Sequence, residues 1–339
     1  MLERTLSFYC FEYLGDSPSM EELTDGLKSR PYEDISVSNK ESNYTFTGPD
    51  RIDNEKNFLI HPARGLVSFC MIYQYRRLNN KLIKKELEKT LAEEYFGQSL
   101  SKEDMELLKD TVITNLMPRF PIAQRYVDVI IDLQKKRIYV KSCGENNLWR
   151  SVNNIAHYSN IQDISMRPWF SGQFIERAGG WENSQIIFIH WLNNLCTKEN
   201  SLNVYAGTKL NIKDNRSNIK ITGDHARFNG IWDQFQAGRK IDSVEVVLKE
   251  KCPAKDDKPE SLAEVLRYRL SLKKLGFNDV NIKDYRPGRE LYPSVLNERV
   301  TSLESFLDHF DAICLAFQNQ MQSQNMKEIY EGIIKWDNP

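Results

Sequence analysis

Positively charged side chains gather in three short stretches in the middle of the sequence. Lysine and arginine side chains that converge on one surface bind the phosphates of nucleic acids. Because the three stretches follow one another within a single run of predicted helices and strands, they could converge on one surface, and one interpretation is that this surface binds DNA. They hold Arg76, Arg77, Lys81, Lys84 and Lys85, then Arg119 and Arg125, and finally Lys135, Lys136 and Arg137.

The same charges also fit an ordinary solvated surface. Lys84 precedes Glu88 by four residues, and Lys89 precedes Glu93 by the same interval. Such pairs stabilise an exposed helix face without any ligand. The residues alone therefore leave both interpretations open.

Acidic residues suggest a second chemistry, the metal-dependent cleavage of DNA. A nuclease of this kind needs two or three carboxylates that converge on Mg²⁺, with a lysine near the attacking water. Asp128 and Asp132 share one face of a predicted strand, with Lys141 on the strand beside it, and Asp242 and Glu245 form a second pair. Cross-strand ion pairs explain such acids more simply. We therefore predict no catalytic residue and no enzyme, with exonuclease activity as the alternative.

Other cofactor and metal chemistry finds no support in the sequence. It contains no phosphate-binding glycine loop, no GxSxG elbow and no GxGxxG motif. Its six cysteines lie far apart and, with the five histidines, show no ligand spacing. We predict reduced, buried thiols, no metal site and no cofactor.

Two helices and a proline corner position the first two groups of cations. Asn80 is placed to begin the first helix and Gly97 to end it. Ser101 and Asp104 predict the start of the second helix through a capping pattern, and Pro118 stops that helix.

Strand patterns surround this helix pair. Hydrophobic residues alternate over residues 126–133 and again over 137–141, which predicts a β-hairpin with its turn at Gln134–Lys136. A second hairpin is predicted for 58–60 with 66–75, and a first strand covered on both faces for residues 2–11.

The later part of the chain is harder to interpret. Residues 249–259 predict a charged linker. Helix-forming residues favour a helix over 261–275, although the apolar residues there also alternate as in a strand. Helices are predicted for 303–317 and 326–334.

Residues 170–201, together with Trp169, are rich in aromatic residues. Aromatic side chains of this kind could bind a nucleic acid by stacking on its bases. The aromatic residues lie among aliphatic ones at the spacing of a core, so we predict packing.

Composition sets the limits of these interpretations. The 339 residues are 40% hydrophobic and 27% charged, ordinary values for a globular protein of two or three subdomains. No apolar run approaches the ~20 residues of a membrane-spanning helix. The early charges Glu3 and Arg4 disfavour a signal peptide, so we expect a cytoplasmic protein. The net charge of −1 argues mildly against a nucleic-acid binder, but phosphate binding needs positive charge only where the DNA lies.

The order of these features resembles the recombination-associated RdgC family of DNA-binding proteins. The most telling segment is LMPRFPIAQRYVDVIIDLQKKRIYVKSC, within residues 81–143. Similar segments are LSFYCFEY, IHPARGLVSFCMIYQY, NIKITGDHARFNGIWDQFQAGRKIDSVEVVL and FLDHFDAICLAF. The resemblance covers most of residues 1–248 and again 303–317. It rests on the order and spacing of many weak matches, not on a short catalytic motif.

The resemblance implies a horseshoe-shaped α+β subunit built of β-hairpins and helices in several subdomains. Two subunits would close head-to-head and tail-to-tail into a ring, through which duplex DNA passes without being read for sequence. It also implies a nucleoid-associated protein that restrains strand exchange by a recombinase filament, with single-stranded DNA as a further partner. Relatives are sometimes labelled exonucleases, and they would have a hairpin strand near residues 261–275.

Two segments match the places where such a ring closes. Thr222, Gly223 and Asp224 predict a tip turn, which the resemblance implies would meet its twin in a second subunit. Arg119 and Phe120 lie at the proline corner, where the other arm departs.

One feature departs from the family. Relatives have a basic stretch between the two helices, whereas residues 97–106 offer only Lys102. The basic wall is therefore supplied elsewhere, or the affinity for DNA is weaker.

We divide the chain into four parts. They are an N-terminal α+β part (1–79), a central helix-pair and hairpin unit (80–165), a projecting gate-like subdomain (166–248), and a divergent linker with a C-terminal helical part (249–339).

We expect the protein to act on DNA without a membrane or a cofactor. A protein-binding regulator without DNA contact is the remaining alternative. The two differ in their response to salt, because only DNA binding should weaken steeply as the salt concentration rises.

Overall fold

A computed structural model gives the structure of most of the chain. The described residues are 5–31, 33–38, 40–52, 56–96, 100–141, 143–196, 201–213, 218–222, 240–252, 261–271, 274–282 and 292–335.

One antiparallel sheet connects all twelve strands of the described residues. Its order is β2-β4-β5-β6-β1-β12-β11-β10-β8-β9, with β3 beside β4 and β7 beside β1. The first strand therefore lies in the middle and joins two halves of the sheet. The strands are β1 (Thr5–Tyr13), β2 (Ser42–Thr47), β3 (Leu59–His61), β4 (Leu66–Arg76), β5 (Ile122–Asp132), β6 (Arg137–Lys141), β7 (Ile164–Met166), β8 (Val204–Lys213), β9 (Asn218–Thr222), β10 (Lys240–Cys252), β11 (Ser261–Ser271) and β12 (Lys274–Ile282).

Eight α-helices accompany the sheet in the same residues, which confirms the predicted α+β class. None of these described helices has the length and apolar character needed to cross a bilayer. The helices are α1 (Met20–Ser29), α2 (Asn80–Glu94), α3 (Lys102–Leu116), α4 (Glu145–Ser159), α5 (Gly172–Arg177), α6 (Trp181–Cys196), α7 (Pro293–Gln320) and α8 (Met326–Lys335).

Two large clusters of buried side chains hold the helices to the sheet. In the first, α1 and α4 pack on β1, β4, β5 and β6, with Phe11, Phe69 and Val129 at the centre. In the second, α5 to α8 pack on β8, β10, β11 and β12 and also on the opposite face of β1, β5 and β6. Aromatic rings such as Trp169 and Phe188 are buried there, which confirms their predicted role in packing.

Local signals fix the ends of the central helices. The hydroxyl of Ser101 accepts a hydrogen bond of 3.1 Å from the backbone N–H of Asp104, as the capping pattern predicts. Helix α2 is capped one residue earlier than predicted, because the side chain of Asn79 accepts from the N–H groups of Lys81 and Leu82. The predicted end of this helix, Gly97, lies outside the described residues.

The predicted helix at 261–275 is wrong. Residues 261–271 form β11, which pairs with β10 along ten residue pairs and with β12 on its other side. The alternating residues Leu266, Tyr268 and Leu270 are buried in the second cluster, so burial against the helices outweighs the local preference for a helix. The predicted linker also begins too early, since β10 continues to Cys252.

Gly26 permits a close contact between α1 and α4. A Cβ atom at this position would lie 2.0 Å from the carbonyl oxygen of Tyr158. We expect Gly26→Ala to lower the free energy of unfolding by about 2 kcal/mol, although alanine gains about 1 kcal/mol in helix propensity. Urea denaturation would measure the change. Gly172→Ala is the control, because a Cβ there meets no atom within 4 Å. Equal effects of the two substitutions would contradict the packing argument.

Candidate nucleic-acid interface

Strand register places the first two groups of predicted cations at the same end of the sheet. Arg76 pairs with Ile122 and Tyr75 with Ala123, so the end of β4 lies beside the start of β5. The backbone N–H of Arg77 also donates to the carbonyl of Pro121 at 2.9 Å. The junction of β4 with α2 therefore adjoins the junction of α3 with β5.

The pair of helices α2 and α3 is mainly positive at the end next to the sheet and mainly negative at the end away from it. Helix α2 starts at the sheet and α3 returns to it, and the two pack through a small apolar cluster around Ile83 and Val112. The cations of α2 are concentrated in its first half. The far end of the pair is acidic, with Glu93 and Glu94 of α2 and Glu103, Asp104 and Glu106 of α3 beside Lys102. Glu86 and Glu88 lie among the lysines of α2, and Asp110 lies in the half of α3 that returns to the sheet.

We call the positively charged end of this unit the basic junction. All its cationic side chains are exposed, and Lys84 forms only a surface pair of 3.7 Å with Glu88. Exposed pairs of this kind contribute little, so the ammonium group can exchange Glu88 for a phosphate. The basic junction consists of Arg77, Lys81, Lys84, Lys85, Arg119 and Arg125.

Arg76 does not belong to this surface. It is only 4% exposed, and its guanidinium donates to the backbone carbonyls of Ile35 (2.5 Å), Ser38 (3.0 Å), Lys40 (3.3 Å) and Phe120 (3.1 Å). These acceptors come from two separate loops. Arg76 therefore joins the loop before β2 to the proline corner, and we do not carry it into the proposed DNA contact.

The third group of cations lies at the opposite end of β5. Asp132 pairs with Leu66, ten residues along the strand from Ile122, a separation of about 33 Å at the rise of a β-strand. The three predicted groups therefore do not meet on one surface. Lys135 lies 3.0 Å from Glu304 of α7, Lys136 donates to the carbonyl of Gly15, and Arg137 pairs with Glu12.

The predicted ring interfaces are only partly described. Thr222 is exposed at the end of β9, but Gly223 and Asp224 lie outside the described residues. Arg119 is exposed at the proline corner. Phe120 is 3% exposed and packs in the apolar cluster beneath α2 and α3, so it stabilises the corner and is not offered to a partner.

Asp128 and Asp132, the first two acids considered for nuclease chemistry, lie far apart, and each is bound by other groups of the protein. Asp128 lies 3.1 Å from Arg51 and 3.8 Å from Lys141. Burial alone would raise the pKa of Asp128, but neighbouring positive charges that include Arg51 and Lys141 hold it below its ordinary value. Asp132 lies four residues along the strand, about 13 Å away, and accepts from the N–H groups of the hairpin turn. That distance is too long for one shared Mg²⁺.

The second pair of acids, Asp242 and Glu245, gives no better arrangement for binding a metal ion. Glu245 is buried and accepts hydrogen bonds from the N–H of Thr208 at 2.7 Å and from Arg267 at 3.0 Å. The side chain of Asp242 lies outside the described residues. Within the described part of the chain, no three His, Cys, Asp or Glu side chains are grouped as metal ligands.

Sequence reasoning missed an aromatic ladder beside the basic junction. The rings of Tyr73 and Tyr75 are stacked, with centroids 5.4 Å apart. Arg125 lies over Tyr75 at 5.2 Å and Arg150 of α4 over Tyr73 at 4.5 Å. The hydrogen bond from Arg125 also holds the pKa of the Tyr75 phenol below its usual value. The alternation of Tyr73 and Tyr75 was visible in the sequence, but their pairing with Arg125 depends on strand register.

Comparison with known families shows the family of the chain. A family model described as "Putative exonuclease, RdgC" matches residues 1–290. The chain belongs to the RdgC family. The RdgC match continues past residue 248, where the first stretch of the resemblance ends, and it includes β10, β11 and β12. Helix α7, with the segment FLDHFDAICLAF, lies beyond the match. No curated protein matches the chain.

Proposed function

We propose that the protein binds duplex DNA without regard to sequence, through the basic junction. The observation that supports this most directly is the segregation of charge on the helix pair. Six exposed cations from β4–α2 and α3–β5 lie at the sheet end with Glu86, Glu88 and Asp110, while five acids lie at the far end of the helix pair. Phosphate contacts position a protein on DNA but carry no sequence information.

Membership of the RdgC family supports the wider proposal of a ring. Two subunits would close around the duplex, with one contact near Arg119 and the other near Thr222. Such a ring would cover the duplex and restrain strand exchange by a recombinase filament. This mode of action needs no cofactor, and it would place the protein on the nucleoid in the cytoplasm.

Exonuclease activity is the second candidate, and the description of the family model favours it. The separation of Asp128 from Asp132 and the ion pairs of Asp128 count against these acids as the metal site. A metal site with three acidic ligands would need acids from segments that the structure does not describe.

A salt titration tests the proposal. We expect a labelled duplex of arbitrary sequence to bind with an affinity that falls steeply with salt. Six phosphate contacts predict a slope of about −5 in log K against log salt for each subunit. The mixture should contain Mg²⁺, and the length of the DNA should be checked afterwards. Light scattering of the free protein should give twice the chain mass of 39.7 kDa if the dimer forms in solution.

Any other result of this titration would favour a different function for the protein. Shortened DNA would favour the exonuclease. Binding that is insensitive to salt would contradict a phosphate surface. No binding at low salt would leave a protein partner as the remaining function of the fold.

A further inference from the structure

A cleft opens beside the basic junction, where the pairing of β5 with β6 ends at Val129. It has a volume of about 340 Å³ and lies between β5 and the first turn of α4. Three cationic residues line it, Arg51, Arg125 and Lys141, together with Asn147. This volume exceeds what one phosphate group and its hydration water require.

The cations around the cleft are held in place by the protein itself. Arg51 lies over the ring of Tyr126 at 5.3 Å, and both Arg51 and Lys141 contact the single carboxylate of Asp128. Arg125 is fixed on Tyr75 by stacking and by a hydrogen bond of 3.2 Å. Arg51 and Lys141 share this one carboxylate, whereas Arg125 lies on the opposite face of β5 and makes no ion pair among the described residues, so it adds a positive charge that Asp128 does not offset. Because their positions are already fixed, little conformational entropy is lost when an anion binds.

The start of α4 adds to this potential. Gly144 is the N-cap of this 15-residue helix and supplies no side-chain acceptor to its first turn. The positive end of the helix dipole therefore lies at the wall of the cleft. Glu145 is the acidic residue of that turn, and it does not line the cleft.

We propose that this cleft binds one phosphate group of the nucleic-acid backbone, next to the phosphates bound by the basic junction. The inference rests on the proposed function and gives it a defined phosphate subsite. Arg125 belongs to both surfaces, so the bound duplex would pass from the helix pair over the edge of β5 towards α4.

Asn147→Glu tests the cleft without removing any ion pair. A glutamate at this third helical position is favourable for the start of a helix, so the variant should fold. Its carboxylate would lie in the wall of the cleft and repel a phosphate. We expect about a tenfold loss of duplex affinity and a salt slope that is smaller by about one.

Asn146→Glu is the matched control. It adds the same charge one residue away, at an exposed position that does not line the cleft. We expect its duplex affinity to stay within about twofold of the unchanged protein. Equal losses in the two variants, or no loss in Asn147→Glu, would overturn the subsite.

A second measurement separates DNA phosphate from free phosphate. The thermal midpoint is compared in inorganic phosphate and in chloride of equal ionic strength, for the unchanged protein and for Asn147→Glu. We expect no phosphate-specific stabilisation at millimolar concentration, because one phosphate alone gains too few contacts. A midpoint raised only in the unchanged protein would assign the cleft to free phosphate and overturn the DNA subsite. Absence of duplex binding in the unchanged protein would instead refute the proposed function.

Discussion

Replacing Arg76 with methionine is expected to lower the free energy of unfolding by about 4 kcal/mol. The substitution keeps the apolar stem of the side chain and removes every donor. It leaves four carbonyl acceptors, which now receive hydrogen bonds from the buried guanidinium, without that partner. Denaturant titration followed by circular dichroism would measure the loss.

The neighbouring arginine provides the control. Arg77 is exposed, so Arg77→Gln should change the free energy of unfolding by less than about 0.5 kcal/mol while weakening DNA binding. Two adjacent arginines are thus expected to give opposite results in the two assays. A stable Arg76→Met variant with poor DNA binding would instead place Arg76 on the DNA surface.

Reversing the charge of Lys84 and Lys85 together is expected to reduce duplex affinity about a hundredfold at low salt. Each substitution removes a phosphate contact and adds a repulsive charge. The slope of log K against log salt should become smaller by about two. The effect should be equal for duplexes of different sequence, because only phosphate contacts are lost.

A control double variant with the same change in charge tests whether the position of the replaced lysines matters. Lys102 lies at the far end of the helix pair and Lys327 on α8, and both are exposed. The variant Lys102→Glu/Lys327→Glu should retain affinity within about threefold. If it loses as much as Lys84→Glu/Lys85→Glu, net charge alone controls binding. If neither variant loses affinity, the basic junction is not the DNA surface.

Local structure was predictable wherever neighbouring residues decide it. The cap at Ser101 depends on a residue three positions away, and the hairpin of β5 and β6 depends on alternation and a short turn. In contrast, β11 contains residues that favour a helix. Its strand conformation comes from pairing with β10 and from burial under α7, which no local pattern reveals.

The candidate site was predictable in its residue types but not in its geometry. The sequence placed Arg76 and Arg77 in the same cluster. The acceptors that bury Arg76 come from residues about 40 positions away on either side. The same holds for Lys135, whose separation from the basic junction follows from strand register. Charge clusters in a sequence therefore identify candidate surfaces, and the tertiary fold decides which members reach solvent.

The central place of β1 in the sheet has a consequence for how the chain is made. Its residues Thr5 and Leu6 pair with Asn281 and Val280 of β12, which leave the ribosome long after β1. Until then, the side of β1 that faces β12 is an open strand edge, the kind of edge that recruits other strands and promotes aggregation. β1 is therefore completed only after β12 has been synthesised, and until then the nascent chain must keep this edge from pairing with other strands.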